Sequence, residues 1–302
     1  MEREKPLIVI TGPTATGKTD FSLKLAREID GEIISADSMQ VYKGLDIGTD
    51  KVSKEIREEI PHYLIDVVDP DKEFSVADFV READKAIREI KKKGKYPIVV
   101  GGTGFYIRAL LFGLPQTPKG DKSIREELKK LSNEELYKLV LSIDRSYAEK
   151  VGKEDRKRLI RAYEVYKLTG KPISSFKLPE KLRYNFLGYF LYRNRNELYK
   201  RIEDRVDSQI RRGLIEETKW LLKFGKDTTA FQALGYKEML EYLEGKKTLE
   251  EAVKLLKRRT KQFAKRQFTW FRKETKFKWI NLSETKEEEL IKIIKKDLEE
   301  IG

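Results

Sequence analysis

The residues Gly12-Pro13-Thr14-Ala15-Thr16-Gly17-Lys18-Thr19 fit the pattern Gly-x4-Gly-Lys-Ser/Thr, a P-loop whose natural ligand is a phosphate or diphosphate group. Each part has a task in such a loop. Glycines let the backbone turn its N–H groups inward around phosphate oxygens, lysine adds a point charge, and the threonine hydroxyl can reach Mg²⁺. The apolar run Leu7-Ile8-Val9-Ile10 precedes the loop, and Phe21, Leu23, Leu25, Ala26 and Ile29 follow it at helical spacing until Gly31. A strand entering and a helix leaving is the context that anion binding requires, because the helix N-terminus aims its positive dipole end at the same anion. Gly12, Thr14, Ala15, Thr16, Gly17, Lys18 and Thr19 are therefore the expected cradle, with Thr19 the expected metal contact.

A nucleotide-cleaving P-loop enzyme usually places a carboxylate for Mg²⁺ at the end of a buried strand. Here Ile98-Val99-Val100 runs into Gly101-Gly102-Thr103-Gly104 without an acid, and the acid at the end of a strand is Asp37, after Ile33-Ile34-Ser35-Ala36. Asp37 can serve as general base or metal ligand; its plainer reading is a turn or helix cap, which Asp favours. Arg201 and Arg205 stand four apart and share a helix face. They can clamp a diphosphate or pair with Glu197 and Glu203.

The chain has 302 residues, a formal charge of +13, no cysteine and one histidine, His62. Disulfides, thiolate metal sites and cysteine nucleophiles are excluded, and a histidine-based zinc site or Ser-His-Asp triad is not expected. The positive field favours a polyanion, nucleic acid first. No stretch approaches the about 20 apolar residues of a membrane span, so a soluble, cytoplasmic protein without membrane partners is expected. Arg258, Lys265 and Arg272 form one seven-spaced basic row, and Arg259, Arg266 and Lys273 a second. Either row can track a phosphate backbone or be an ordinary solvated face. Leu256, Phe263 and Trp270 read as a buried stripe of the same helix.

The elements that position these groups alternate. Strands are expected at 7–10, 32–36, 63–68, 96–100, 186–192 and 277–280, and helices after the loop, over 75–93, from 105, over 195–223, over 249–273 and from 283. Alternating strands and helices indicate an α/β fold with a parallel sheet, whose ligands bind beyond the carboxyl ends of the strands. The P-loop, Asp37 and the Gly101–Gly104 turn would share that edge. Leu114-Pro115-Gln116-Thr117-Pro118-Lys119-Gly120 reads as a linker into short amphipathic helices. The expected organisation is a P-loop core of residues 1–114 and 183–302 with an inserted helical domain at 115–182.

Taken together, several stretches closely resemble the tRNA dimethylallyltransferase family, also called tRNA isopentenyltransferases. They are the P-loop, Ser35 to Thr49 (Ser-Ala-Asp-Ser-Met-Gln-Val-Tyr-Lys-Gly-Leu-Asp-Ile-Gly-Thr), Val100-Gly101-Gly102-Thr103-Gly104, Arg158 to Ala162, Leu234-Gly235-Tyr236 and Arg266 to Phe271. The resemblance runs over nearly the whole chain and has the bacterial pattern, without a C-terminal zinc finger. It implies transfer of a dimethylallyl group from its diphosphate to N6 of the adenosine just 3′ of the anticodon in certain tRNAs. It further implies Asp37 as general base, Mg²⁺ at Thr19, and Lys18, Thr103 and Arg201 or Arg205 on the leaving group, with Arg205 favoured. By the same resemblance Asp37, Ser38, Met39, Gln40 and Thr103 would meet the target base. Lys157, Arg158, Leu159, Ile160, Arg161, Gln232, Gly235, Tyr236 and Lys237 would touch the anticodon stem-loop. A monomer is expected. The competing readings are an isopentenyltransferase acting on free adenine nucleotides, a small-molecule P-loop kinase, and an RNA-binding module with a vestigial loop.

Overall fold

The computed structural model describes residues 5–301. The chain forms two compact units, one of Met1–Leu111 with Leu182–Gly302 and one of Phe112–Lys181. In chain order the elements are β1 (Leu7–Thr11), α1 (Lys18–Ile29), β2 (Gly31–Ser35), α2 (Lys54–Glu59), β3 (His62–Tyr63), α3 (Val76–Lys92), β4 (Tyr96–Gly101) and α4 (Gly104–Phe112). The second unit holds α5 (Lys122–Lys129), α6 (Asn133–Ile143), α7 (Arg145–Val151) and α8 (Arg156–Thr169). The chain then returns through β5 (Phe186–Tyr192), α9 (Arg195–Arg211), α10 (Leu214–Leu221), α11 (Tyr236–Leu243), α12 (Leu249–Phe271), β6 (Phe277–Asn281) and α13 (Glu287–Ile301).

The sheet is parallel throughout, with strand order β3-β2-β4-β1-β5-β6, so the α/β parallel-sheet expectation holds. Its central strands are apolar on both faces, as sheets covered by helices on both sides require: Leu7, Ile8, Val9 and Ile10 are fully buried. One core packs α1 and α13 on the sheet through Phe21, Leu25, Leu290 and Ile294. Another gathers α10, α11 and α12 around Val41, Tyr42 and Leu45. Among the described residues no helix is long and apolar enough to cross a membrane.

Three local expectations need correction. The strand expected at 63–68 is only His62–Tyr63, because Leu64 (φ 65°) and Asp66 (φ 57°) take the left-handed conformation that ends a strand. Asp66 is held there by Lys51 and Arg57 at 2.5 and 2.6 Å. The helix expected over 195–223 is two helices, parted at Gly213 (φ 104°). On α12 the buried face is Ala252, Leu256, Thr260, Ala264, Gln267 and Phe271. Phe263 is only half-buried and Trp270 is 38% exposed, so the seven-spaced stripe is not the core face.

The second unit has its own core of Leu128, Leu136, Val140, Ala148, Leu159 and Ala162. Its buried acid Glu164 accepts the Asp121 N–H at 2.8 Å and the Arg125 Nε–H at 2.7 Å, and pairs with Arg161. Both arginines and that N–H hold the Glu164 carboxyl below the usual range against the opposing effect of burial.

Candidate active site

Strand register brings the expected site residues to one edge. Thr11 of β1 pairs with Gly101 of β4, and Ser35 of β2 with Val100, so the P-loop, the segment starting at Asp37 and the Gly101–Gly104 turn leave the sheet side by side. Gly12 is required where the P-loop departs: its φ is 146°, and a Cβ there would lie 2.0 Å from the Leu191 carbonyl oxygen. Inside the loop Ala15 is left-handed at φ 63°, and the fully buried Thr16 donates its hydroxyl to Pro13 O at 2.7 Å. From outside, Arg201 Nε donates to Ala15 O and Arg193 Nε to Thr16 O, each at 2.8 Å. With those carbonyls turned to the arginines, and the Thr14 N–H given to Gln267, the N–H groups of Ala15 to Lys18 are left to cradle an anion.

Lys18 completes the cationic wall. Its Nζ donates to Pro13 O at 2.6 Å. Burial first, and then the neighbouring Arg205 guanidinium, lower its pKa from 10.5 to about 7, while Asp37 pulls the other way. Lys18 thus has both Arg205 and Asp37 as charged neighbours at the carboxyl edge of the sheet. Arg205 also reaches Asp50 at 3.5 Å, a carboxylate shared with Arg212 at 2.5 Å. The two arginines named from sequence therefore divide: Arg201 braces the loop backbone, and Arg205 stands beside Lys18. Thr19 lies exposed in the first turn of α1.

Asp37 forms the facing wall. Its Oδ1 accepts the Met39 and Gln40 N–H groups at 2.8 and 3.3 Å, the turn-capping role that Asp favours. Oδ2 has no hydrogen-bond donor among the described residues. Thr103 stitches the two turns together, since its Oγ1 accepts from Ser38 N at 3.1 Å and its N–H donates to Ala36 O at 3.3 Å. Gln40 is turned inward: it accepts the Ser35 hydroxyl at 2.9 Å and donates to Thr49 O at 3.1 Å. Met39 is half-buried against Val41 and Tyr42.

Three positioning groups escaped the sequence reading. Gln267, on the buried face of α12, accepts the Thr14 N–H at 2.9 Å and donates to Gly102 O at 3.0 Å, so one amide spans the P-loop and the Thr103 turn. A polar residue at a core-facing helical position was the available signal. Arg193, directly after β5, was legible only from its place at the carboxyl edge. Glu217 accepts the N–H groups of Asp46, Ile47 and Gly48 at 3.0, 2.8 and 2.9 Å and the Tyr236 hydroxyl at 2.6 Å, fixing the loop that carries Asp50.

The remaining expected contacts separate by exposure. Gln232 and Lys237 are exposed, whereas Gly235 and Tyr236 are buried. Tyr236 is fully enclosed, and burial with the nearby Glu217 carboxylate drives its pKa far up. In the second unit Lys157 and Arg158 are exposed and Ile160 is half-buried. Leu159 is fully buried, and Arg161 is spent on Glu164, on Pro118 O at 2.7 Å and on Thr117 Oγ1 at 3.1 Å. Direct side-chain contact with RNA by Leu159 or Tyr236 does not fit that burial.

The model of the IPP transferase family matches residues 40–274. A tRNA dimethylallyltransferase of Sulfurihydrogenibium is 50% identical over 293 residues, 95% of each chain. One of Geotalea uraniireducens is 49% identical over 92% of this chain and 93% of its own. Among solved structures, the full-length tRNA isopentenylpyrophosphate transferase of Bacillus halodurans superposes with a TM-score of 0.74 at 41% identity, covering 99% of this chain and 98% of its own. A eukaryotic dimethylallyltransferase acting on tRNA reaches 0.77 at 33% identity over 93% of this chain and 75% of its own. With family, relatives and fold in agreement along its length, and as the sequence resemblance implied, the chain belongs to the IPP transferase family of tRNA dimethylallyltransferases.

Proposed function

We propose that this protein transfers the dimethylallyl group of dimethylallyl diphosphate to N6 of the adenosine 3′-adjacent to the anticodon and releases diphosphate. The observation that carries this reading is the pairing of a cationic cradle, Lys18 beside Arg205, with the neighbouring Asp37 carboxylate, whose Oδ2 meets no donor among the described residues. N6 attacks C1 of the dimethylallyl group as the C1–O bond breaks. The bonding pair leaves with the diphosphate, and the N6 proton passes to Asp37.

P-loop N–H groups from Ala15 to Lys18, with Lys18 and Arg205, stabilise charge gathering on the leaving diphosphate. Thr103 holds the backbone around Ser38 and so aims Asp37 and the adjoining Ser38 at the extruded base, which must leave its stack to be modified. Gln40 and Met39 shape the wall from within. Exposed Lys157, Arg158, Gln232 and Lys237 meet the phosphates of the anticodon stem-loop.

No group of three or more His, Cys, Asp or Glu capable of holding a metal occurs among the described residues. A hydroxyl at Thr19 therefore suits an ion that brings most of its oxygen ligands with it, as Mg²⁺ on a diphosphate does. When bound, Mg²⁺ adds neutralising charge to the leaving group. The protein acts as a cytoplasmic monomer in this reading.

Incubation with dimethylallyl diphosphate, Mg²⁺ and unmodified tRNA, followed by nucleoside analysis, should yield N6-dimethylallyladenosine. Prenylation of free adenine nucleotides instead, or phosphate transfer from ATP, would replace this reading.

A further inference from the structure

Three acids of α9 are engaged by cations other than Arg205. Glu197 pairs with Arg193 at 2.6 Å, Glu203 with Lys261, and Asp207 with Lys257 at 2.7 Å. Among the described residues, the carboxylate at ion-pair distance from Arg205 comes from outside the helix. It is Asp50, whose Oδ2 lies 3.5 Å from Arg205 Nη1, a separation longer than a good hydrogen bond. Its other oxygen, Oδ1, accepts from Arg212 Nη2 at 2.5 Å. Asp50 thus bridges two guanidinium groups, holding one tightly and the other loosely.

The loop that carries Asp50 is fixed independently of the Asp50 side chain. Glu217 accepts the Asp46, Ile47 and Gly48 N–H groups, and Gln209 Nε2 donates to the Ile47 and Gly48 carbonyls at 3.0 and 3.1 Å. Asp50 itself is left-handed at φ 54°, a conformation open to Asp and Asn but unfavourable for most other side chains. Asparagine at this position would keep the turn and the bond from Arg212 while removing the charge. The bridge also lets Arg205 change partners at little cost. When an anion draws Arg205 away, Asp50 still has Arg212, so no carboxylate is left without a counter-charge.

We infer that Asp50 is a positioning residue that acts through Arg205 as an internal counter-ion: it competes with diphosphate for that guanidinium and so eases release of the diphosphate product, with Arg212 as its reserve partner. The inference rests on the reading of Arg205 as a leaving-group contact given above, and adds how the site lets go of what it holds. A carboxylate that only fastened the loop would need the Arg212 contact alone. It would have no use for a second cation held where its charge is felt but no good hydrogen bond forms.

Calorimetry of inorganic diphosphate binding in the presence of Mg²⁺ reads the sign of this effect. Asp50→Asn should tighten diphosphate binding about fivefold, the upper end for a partly exposed ion pair, and single-turnover prenyl transfer should not fall. Arg212→Gln leaves Asp50 with Arg205 as its remaining guanidinium, and should weaken diphosphate binding about threefold. The gain from Asp50→Asn should vanish in an Arg205→Met background, where no guanidinium remains to be freed. Unchanged or weaker binding in Asp50→Asn would overturn the proposal, because damage to the loop cannot tighten the hold on an anion. No loss in Arg212→Gln would overturn it as well, as would a gain from Asp50→Asn that survives Arg205→Met and so marks a general repulsion. Failure of the unaltered protein to prenylate tRNA would instead sink the function reading, which these binding measurements do not require.

Discussion

The two walls of the cleft are held in opposite ways. On the cationic wall nearly every polar group already has a partner: Arg193 and Arg201 bind loop carbonyls, Lys18 binds Pro13 O, and Arg205 faces Asp50. On the Asp37 wall one carboxylate oxygen caps a turn and the other meets no donor among the described residues. A wall that must hold a leaving group is preorganised by many weak ties, so its charge costs little reorganisation when it is needed. A wall that must accept a proton needs one oxygen fixed for aim and one kept open. Damage should accordingly be steep on the Asp37 side and graded on the P-loop side.

The largest effect should come from Asp37→Asn. The amide can still cap the turn through its carbonyl oxygen but cannot take the N6 proton. General-base loss typically costs 10²–10⁴-fold, so single-turnover transfer should fall about 10³-fold with tRNA affinity unchanged. A fall of less than about tenfold would move the base elsewhere. Lys18→Met should cost about 10²-fold, as loss of one preorganised charge does, and should weaken inorganic diphosphate binding in parallel. If Lys18→Met proved more damaging than Asp37→Asn, the contrast between the walls would be reversed.

Gln267→Leu tests the tie between the walls. It removes the acceptor for Thr14 N–H and the donor to Gly102 O at nearly constant volume. Small misplacement of reacting groups can cost up to about 10²-fold, and about tenfold in kcat with KM for tRNA unchanged is expected. Gln267→Glu keeps the acceptor and loses the donor, so it should fall between. A change in melting temperature with no change in kcat would reduce Gln267 to a packing residue.

How much of this was legible in the sequence depends on what sets each feature. Buried strands such as Leu7–Thr11 and the P-loop are written in local composition, since both faces of a central strand must be apolar and only glycine fits at Gly12. Features set by distant partners were not legible. The 63–68 strand fails because Lys51 and Arg57 hold Asp66 in a left-handed turn. Trp270 was misread because a seven-residue repeat drifts about 20° per heptad on a straight helix, carrying it off the face centred on Leu256, Thr260 and Gln267. The division of labour between Arg201 and Arg205 is likewise decided by which loop each helix turn reaches, and spacing alone could only place both on one face.

The finest probe of the cationic wall is its pH dependence. Burial and Arg205 lower the Lys18 pKa to about 7 in the free protein, so near neutral pH it is divided between charged and neutral forms. A diphosphate beside it favours the charged form and raises the pKa again. Below about pH 7 the proton is already present and binding takes up none at this site. Above it, binding must take up a proton, and the Lys18 contribution to affinity falls by up to tenfold per pH unit until the bound pKa is reached. Calorimetry of inorganic diphosphate binding at pH 6.5 and 8.5, in two buffers of different ionisation enthalpy, should show extra proton uptake at about pH 8.5 that Lys18→Met lacks; subtracting that variant removes the ligand's own titration. The sign on stability is the reverse of the usual salt-bridged lysine. Between about 7 and 10.5 the unfolded chain holds the proton and the folded protein does not, so this group makes folding more favourable as pH rises through that window. Lys18→Met should flatten that rise, and an unchanged slope would mean that Lys18 keeps an ordinary charge in the free protein and that Arg205 is not its close neighbour.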